Sequence, residues 1–166
     1  MSVSKRHVFL VVALVATGLL AAGIVPSAAQ EPITAEPLTG RAVFTDDVSF
    51  LIKIKRDGQQ TEVVKVQDPS RTVVVRFTVQ PGAQFPWHSH AGPVVVNMVQ
   101  GTLTYIQSDC DEREYPAGTA FVDPGHGHVH SATNAGTEVV VFVATFFEAP
   151  AEGPLLIPAE APSCAA

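Results

Sequence analysis

Six histidines occur in the sequence, and five of them fall between positions 88 and 130. His88 and His90 flank Ser89 and precede an apolar run, Val94-Val95-Val96. On a β-strand, residues i and i+2 face the same side, so this spacing would send both imidazoles into one space. A second group, His126, His128 and His130, is interleaved with Gly125, Gly127 and Val129, and on a strand His128, His130 and Ala132 would share a face. Convergent neutral imidazoles are ligands for divalent transition metals. Each histidine taken singly is as readily a hydrogen-bonded or surface side chain, and the spacing of His88 and His90 alone does not decide. Gly125 and Gly127 make a flexible turn in which exposed imidazoles at 126 and 128 are ordinary. No Ser-His-Asp arrangement, phosphate-binding loop or CxxC pair accompanies them.

The surrounding segments read as strands. Val48, Phe50, Ile52 and Ile54 alternate with Ser49, Leu51, Lys53 and Lys55 up to the turn pair Asp57-Gly58. Thr61–Val66 returns, and Asp68-Pro69-Ser70 turns again. Thr72–Val79 is dense in β-branched residues, with Val73, Val75, Phe77 and Val79 on one face. After Pro81-Gly82 come the first histidine segment, Val94–Val99, Thr102–Gln107, Ala120–Val122, Val129–Thr133 and Glu138–Phe147. Short strands with turn signals every 8 to 12 residues mean an all-β sandwich or barrel. By parity Val94, Val96 and Met98 would line its interior beside the histidines, unless the Gly92-Pro93 turn resets the register. Phe85, Trp87, Tyr105 and Phe142 could shape a pocket, although aromatics on barrel strands are more often core. Asp123, Glu138 and Glu148 read as solvated groups or as partners of ligands rather than ligands themselves.

Residues 1–29 read as an export signal. Lys5, Arg6 and His7 form a basic start, Val8–Leu20 is uncharged and apolar, and Pro26 precedes the small residues Ser27-Ala28-Ala29. The alternative is an uncleaved anchor, since the apolar run from Val8 to Val25 spans 18 residues. Cleavage would leave about 137 residues, one domain of ordinary size, with eight basic against sixteen acidic side chains and a net charge of −8. That balance argues against nucleic acid and against anionic membrane surfaces as partners. Residues 30–40 are rich in proline and polar groups and read as an extended linker. The barrel domain is expected over 41–149, followed by a Pro- and Ala-rich tail over 150–166.

The glycines add a pattern to the histidines. Gly82, five residues, His88, one residue, His90, three residues, Val94, six residues and Gly101 resemble the first cupin motif, except that Val94 stands where cupins usually carry glutamate. Gly118, five residues and Pro124, then Gly127, two residues, His130, three residues and Asn134 resemble the second motif, with one extra residue between the proline and the glycine. The two lie in the right order, 16 residues apart. The resemblance to the cupin superfamily implies a jelly-roll barrel (a double-stranded β-helix) with a metal-capable pocket and a small-molecule ligand or substrate. A homodimer through edge strands is common in that superfamily, and no residue here indicates it.

On that resemblance the ligand set is His88, His90 and His130, holding Zn(II), Fe(II), Mn(II), Ni(II) or Cu(II) with an open position. The departure at Val94 has three readings: a three-histidine site as in some cupin dioxygenases, a fourth nitrogen from His128 or His126, or a degraded site that leaves an apolar pocket. Without the glutamate a dication would be held more electropositively, favouring an anionic substrate or a lowered pKa of bound water. The expected activity is that of a metal-dependent oxidoreductase, with a non-catalytic binding module and a structural metal as alternatives.

The two cysteines, Cys110 in the acidic segment SDCDERE and Cys164 near the end, are expected to form a disulfide in an oxidising compartment. Two free thiols, or a reactive Cys110, are the competing reading.

Overall fold

Apolar side chains spaced two apart build the walls of this protein. Along the central strand Arg71–Val79, Val73, Val75, Phe77 and Val79 are buried while Arg76 between them is exposed. The computed structural model describes residues 31–66 and 69–165, and the export reading of residues 1–29 lies outside the described residues. The strands in chain order are β1 (Ile33–Pro37), β2 (Ala42–Val43), β3 (Phe50–Ile54), β4 (Glu62–Val66), β5 (Arg71–Val79), β6 (Gln84–Ser89) and β7 (Val94–Gln100). They continue as β8 (Thr102–Gln107), β9 (Glu112–Pro116), β10 (Ala120–Asp123), β11 (His130–Thr133), β12 (Val140–Phe146) and β13 (Ile157–Pro158). Among the described residues the only helix is a single 3-10 turn, Ser163–Ala165.

Two antiparallel sheets face each other, the expected jelly-roll barrel. One runs β1-β5-β12-β7-β10, with β2 also on β5, and the other β13-β6-β11-β8-β9. The β3–β4 hairpin is a separate two-stranded sheet. Between the main sheets lies one apolar core, in which Phe77 stacks on Phe142 at 5.0 Å and meets Phe85 edge-on at 5.7 Å. The two histidine-bearing segments are joined at their ends: the Gly82 amide donates to the Asn134 carbonyl at 2.8 Å, and the buried Asn134 side chain donates to the Val79 and Glu138 carbonyls.

Three stretches depart from the sequence expectation. Residues 33–37, read as part of a linker, are β1, hydrogen-bonded along β5 in the register Ile33↔Val79 to Pro37↔Val75. Proline and polar residues are tolerated there because β1 is an edge strand with most side chains exposed. Residues 112–116, given no strand in the sequence reading, are β9, paired along β8 with Tyr115 packed against the core while Glu112 and Glu114 face water. The tail is not free either: β13 pairs with β6, and Leu155 and Leu156 pack against the core. A disulfide between Cys110 and Cys164 (Cα–Cα 6.2 Å) fastens the tail to the β8–β9 turn.

Candidate metal centre

β6 and β11 carry the histidines side by side. His88 is the register partner of His130, whereas Phe85 pairs with Ala132. Three steps on β6 thus match two on β11, a bulge at Pro86-Trp87. Without it Phe85 and His88, three apart, would face opposite sides of the sheet, and the bulge turns both inward. His90 follows immediately after β6 and is buried as well.

One ring nitrogen from each of His88, His90 and His130 lies within 4.8 Å of the others. Ring centroids are 4.3 Å apart for His88 and His130, 4.9 Å for His88 and His90, and 5.1 Å for His90 and His130. The Nδ1 of each ring meets an oxygen: Pro86 O at 2.7 Å for His88, Leu155 O at 2.8 Å for His90, and His128 O at 3.4 Å with Asp123 Oδ2 at 3.2 Å for His130. A carbonyl only accepts, so Nδ1 carries the proton and Nε2 keeps its lone pair for a ligand role. This is the tautomer and the outer support that metal-binding imidazoles usually have.

Burial also keeps the rings neutral. His88 is pushed down to about 4 by desolvation, which outweighs the opposing hydrogen bond to Pro86 and the attraction of Asp123. His130 falls to about 3 by desolvation, with Asp123 opposing and the neighbouring His88 and His90 adding to the fall. His90 is lowered for the same leading reason. Three buried imidazoles, neutral near pH 7 and open at one nitrogen each, fit a divalent transition metal.

The cavity before them is lined by Phe77, Phe85, Val94, Val96, Phe142 and Phe146 among others, and its volume is about 50 Å³. Among the described residues its lining contains no lysine or arginine, and Asp123 is its one carboxylate. Val94 is 2 % exposed on the cavity wall. Met98, grouped with Val94 and Val96 by parity, is buried in the core but does not reach the cavity, because β7 carries it two further residues away from the histidines. Phe85 and Tyr105 do line it, and half-buried Trp87 does not.

His126 and His128 stand apart from the triad. His126 has a positive φ of 51° and an exposed ring whose Nε2 meets the Glu148 carboxylate. His128 bonds through Nδ1 to Asp123 Oδ2 at 3.3 Å. Of the two readings of Asp123, a solvated group or a partner of a ligand, burial excludes the first, and its 3.2 Å contact with His130 Nδ1 fits the second. The residue is 1 % exposed, because Phe121 and Asp123 alternate onto the inner face of β10. Burial alone would raise its carboxyl. The hydrogen bond from His128, the attraction of the His130 and His90 rings and the bond from Tyr105 outweigh that and hold it well below the usual carboxylate range. Tyr105 is pushed up, first by burial and then by Asp123. The sequence signal for Asp123 is its place two residues after Phe121 on a strand, which only the pairing of β10 with β7 converts into a location.

Residues 75–146 match the family described as cupin domain. Among solved structures the chain is similar to an uncharacterized conserved protein with a double-stranded β-helix domain from Klebsiella pneumoniae subsp. pneumoniae, at 25 % identity and TM-score 0.46, covering 53 % of this chain and 76 % of that one. A cupin-like protein from Thermotoga maritima is similar at 26 % identity and TM-score 0.44, covering 46 % and 57 %. An oxalate oxidase in complex with the substrate analogue glycolate is similar at 25 % identity and TM-score 0.42, covering 48 % and 43 %. The chain spans less than two thirds of the last two. No curated protein is matched.

Proposed function

Because this chain belongs to the cupin superfamily through residues 75–146, we propose that it holds a divalent transition metal on His88, His90 and His130 and acts as a dioxygenase-like oxidoreductase on a small molecule. The observation that carries the reading is the triad itself: three buried neutral imidazoles, each tied at Nδ1 to an oxygen, with nitrogens within 4.8 Å. A redox-capable ion bound there would supply a Lewis-acidic, electron-transferring centre. The protein's own part is to hold the rings rigidly, exclude water with phenylalanine and valine side chains, and admit only a small solute. The apolar lining suits a neutral molecule such as dioxygen, and it offers an anionic substrate no cationic side chain.

Export of the chain through residues 1–29 belongs to the same reading, and the Cys110–Cys164 pair is of the kind found in oxidising compartments.

Elemental analysis of tag-free protein beside His88→Ala tests the function. Near-stoichiometric iron, manganese, copper or nickel, lost in the variant, supports it. Zinc alone would remove the redox part, and protein that stays metal-free after soaking in these ions would remove the whole. One observation favours a second reading, a binding module without catalysis: valine rather than a carboxylate at position 94 on an otherwise apolar cavity wall. Small-molecule binding that survives in His88→Ala would identify it.

A further inference from the structure

Asp123 sits where a free carboxylate is costly. It is 1 % exposed, and among the described residues no lysine or arginine lines the cavity it faces. An isolated buried anion costs several kcal/mol unless a positive charge or several donors compensate it. The donors are present. Oδ1 accepts from the Gly125 amide at 2.8 Å, and Oδ2 accepts from the Tyr105 hydroxyl at 2.5 Å and faces His128 Nδ1 at 3.3 Å and His130 Nδ1 at 3.2 Å.

The same contacts say how the carboxylate would act on a cation. Oδ1 is turned to the Gly125 amide, and Oδ2 to the Tyr105 hydroxyl and the two imidazoles, so both oxygens already have partners in the fold. Its close ligand-capable neighbours are His128 and His130, whereas His88 and His90 group with His130 alone. On an imidazole ring the two nitrogens point away from each other, so a carboxylate at Nδ1 of His130 leaves Nε2 to the ion and makes it more basic. Asp123 is also the register partner of Val94 across β7 and β10. The carboxylate therefore lies one strand over from the position where the first motif departs from its family.

We propose that Asp123 is a positioning residue of the candidate metal centre: acting through His130, it supplies the negative charge the three imidazoles lack while leaving a coordination position open. The inference rests on the metal-binding reading above. On this reading the negative charge that a glutamate at position 94 would carry is supplied instead by Asp123.

The test is titration of the full chain with Co(II), following affinity and the visible spectrum of the bound ion, for wild type, Asp123→Asn, His130→Ala and the double variant. Asp123→Asn should bind Co(II) about 10–100-fold more weakly, the usual cost of losing the outer partner of a ligand histidine, with the coordination number in the spectrum unchanged. Added to His130→Ala it should weaken binding little further, since the path to the ion is already gone. Tyr105→Phe, which keeps the carboxylate and removes one of its donors, should shift affinity in the same direction by less. Unchanged affinity in both Asp123→Asn and Tyr105→Phe overturns the inference, as does a fully additive loss with a missing ligand in the spectrum, which would make Asp123 a ligand. Wild-type protein that binds no Co(II) overturns the metal reading and the inference together.

Discussion

The Nδ1 of His90 lies 2.8 Å from the carbonyl oxygen of Leu155, sixty-five positions further along the chain. A ring of the candidate metal centre is thus oriented by a segment outside both histidine motifs. The next residue, Leu156, lines the cavity, and β13 follows at once on β6. Cys164, bonded to Cys110, pins the end of the same segment. The paired cysteines therefore act on the site through the tail.

Cys164→Ser should destabilise the protein by about 4 kcal/mol, the chain-entropy value for a loop of this length. It should also weaken metal binding, because Leu155 is then held only by β13 and local packing. Denaturant unfolding and a metal titration of the variant check the two effects separately. Full-strength metal binding would mean that the tail keeps its place without the bond.

Acid should unfold the metal-free protein in a defined window. His88 and His130 titrate at about 4 and about 3 in the folded chain, against 6.5 as the ordinary value. Between pH 6.5 and about 4 the unfolded chain therefore holds protons that the folded chain refuses, and stability falls as pH falls, by up to about 1.4 kcal/mol per unit for each ring. Asp123, held below its ordinary range, adds a further loss below about pH 4. Melting temperatures across pH 4 to 8 check the sign, and a flat profile would contradict the burial of neutral rings.

Chelation should lower the melting temperature without unfolding the barrel at 25 °C. A ligand at a hundred times its Kd adds about 2.7 kcal/mol, whereas the core of Phe77, Phe85, Phe142 and their valine neighbours holds the sheets together by apolar contact alone. Circular dichroism before and after EDTA distinguishes this from a structural metal, whose removal would abolish the strand signal.

Gly125→Ala should be among the most damaging single-methyl changes. A Cβ there would lie 2.0 Å from the Gly92 carbonyl oxygen, and its φ of 65° already disfavours side chains. The loops that meet at this point carry His90 and Asp123, so metal affinity should fall together with stability. Titration and melting of the variant would show both, and a neutral outcome in either would mean that the two loops can move apart.

The alternating valines of β5 and β7 and the turn pairs between strands made the barrel legible, because burial on one face of a strand leaves a period of two in the sequence. That His88, His90 and His130 belong to one site was legible from the resemblance to the two cupin motifs rather than from periodicity, and the strand pairing of His88 with His130 came only with the fold. Three features were not. The Pro86-Trp87 bulge changes parity within β6 and leaves no local mark. Asp123 acquires neighbours only when β10 lies on β7, and Leu155 only when the tail returns to β6. All three depend on long-range pairing, which a periodic pattern does not encode.

The absence of lysine and arginine from the cavity wall has a consequence for traffic. To reach the imidazoles a solute must leave its water behind and receive phenylalanine and valine contacts in return. Dioxygen and small neutral organics, weakly hydrated, cross that boundary with little loss, while a carboxylate or phosphate meets a steep rise in free energy. For any solute held in that cavity, contact with apolar side chains replaces hydration, and an ion loses most in the exchange.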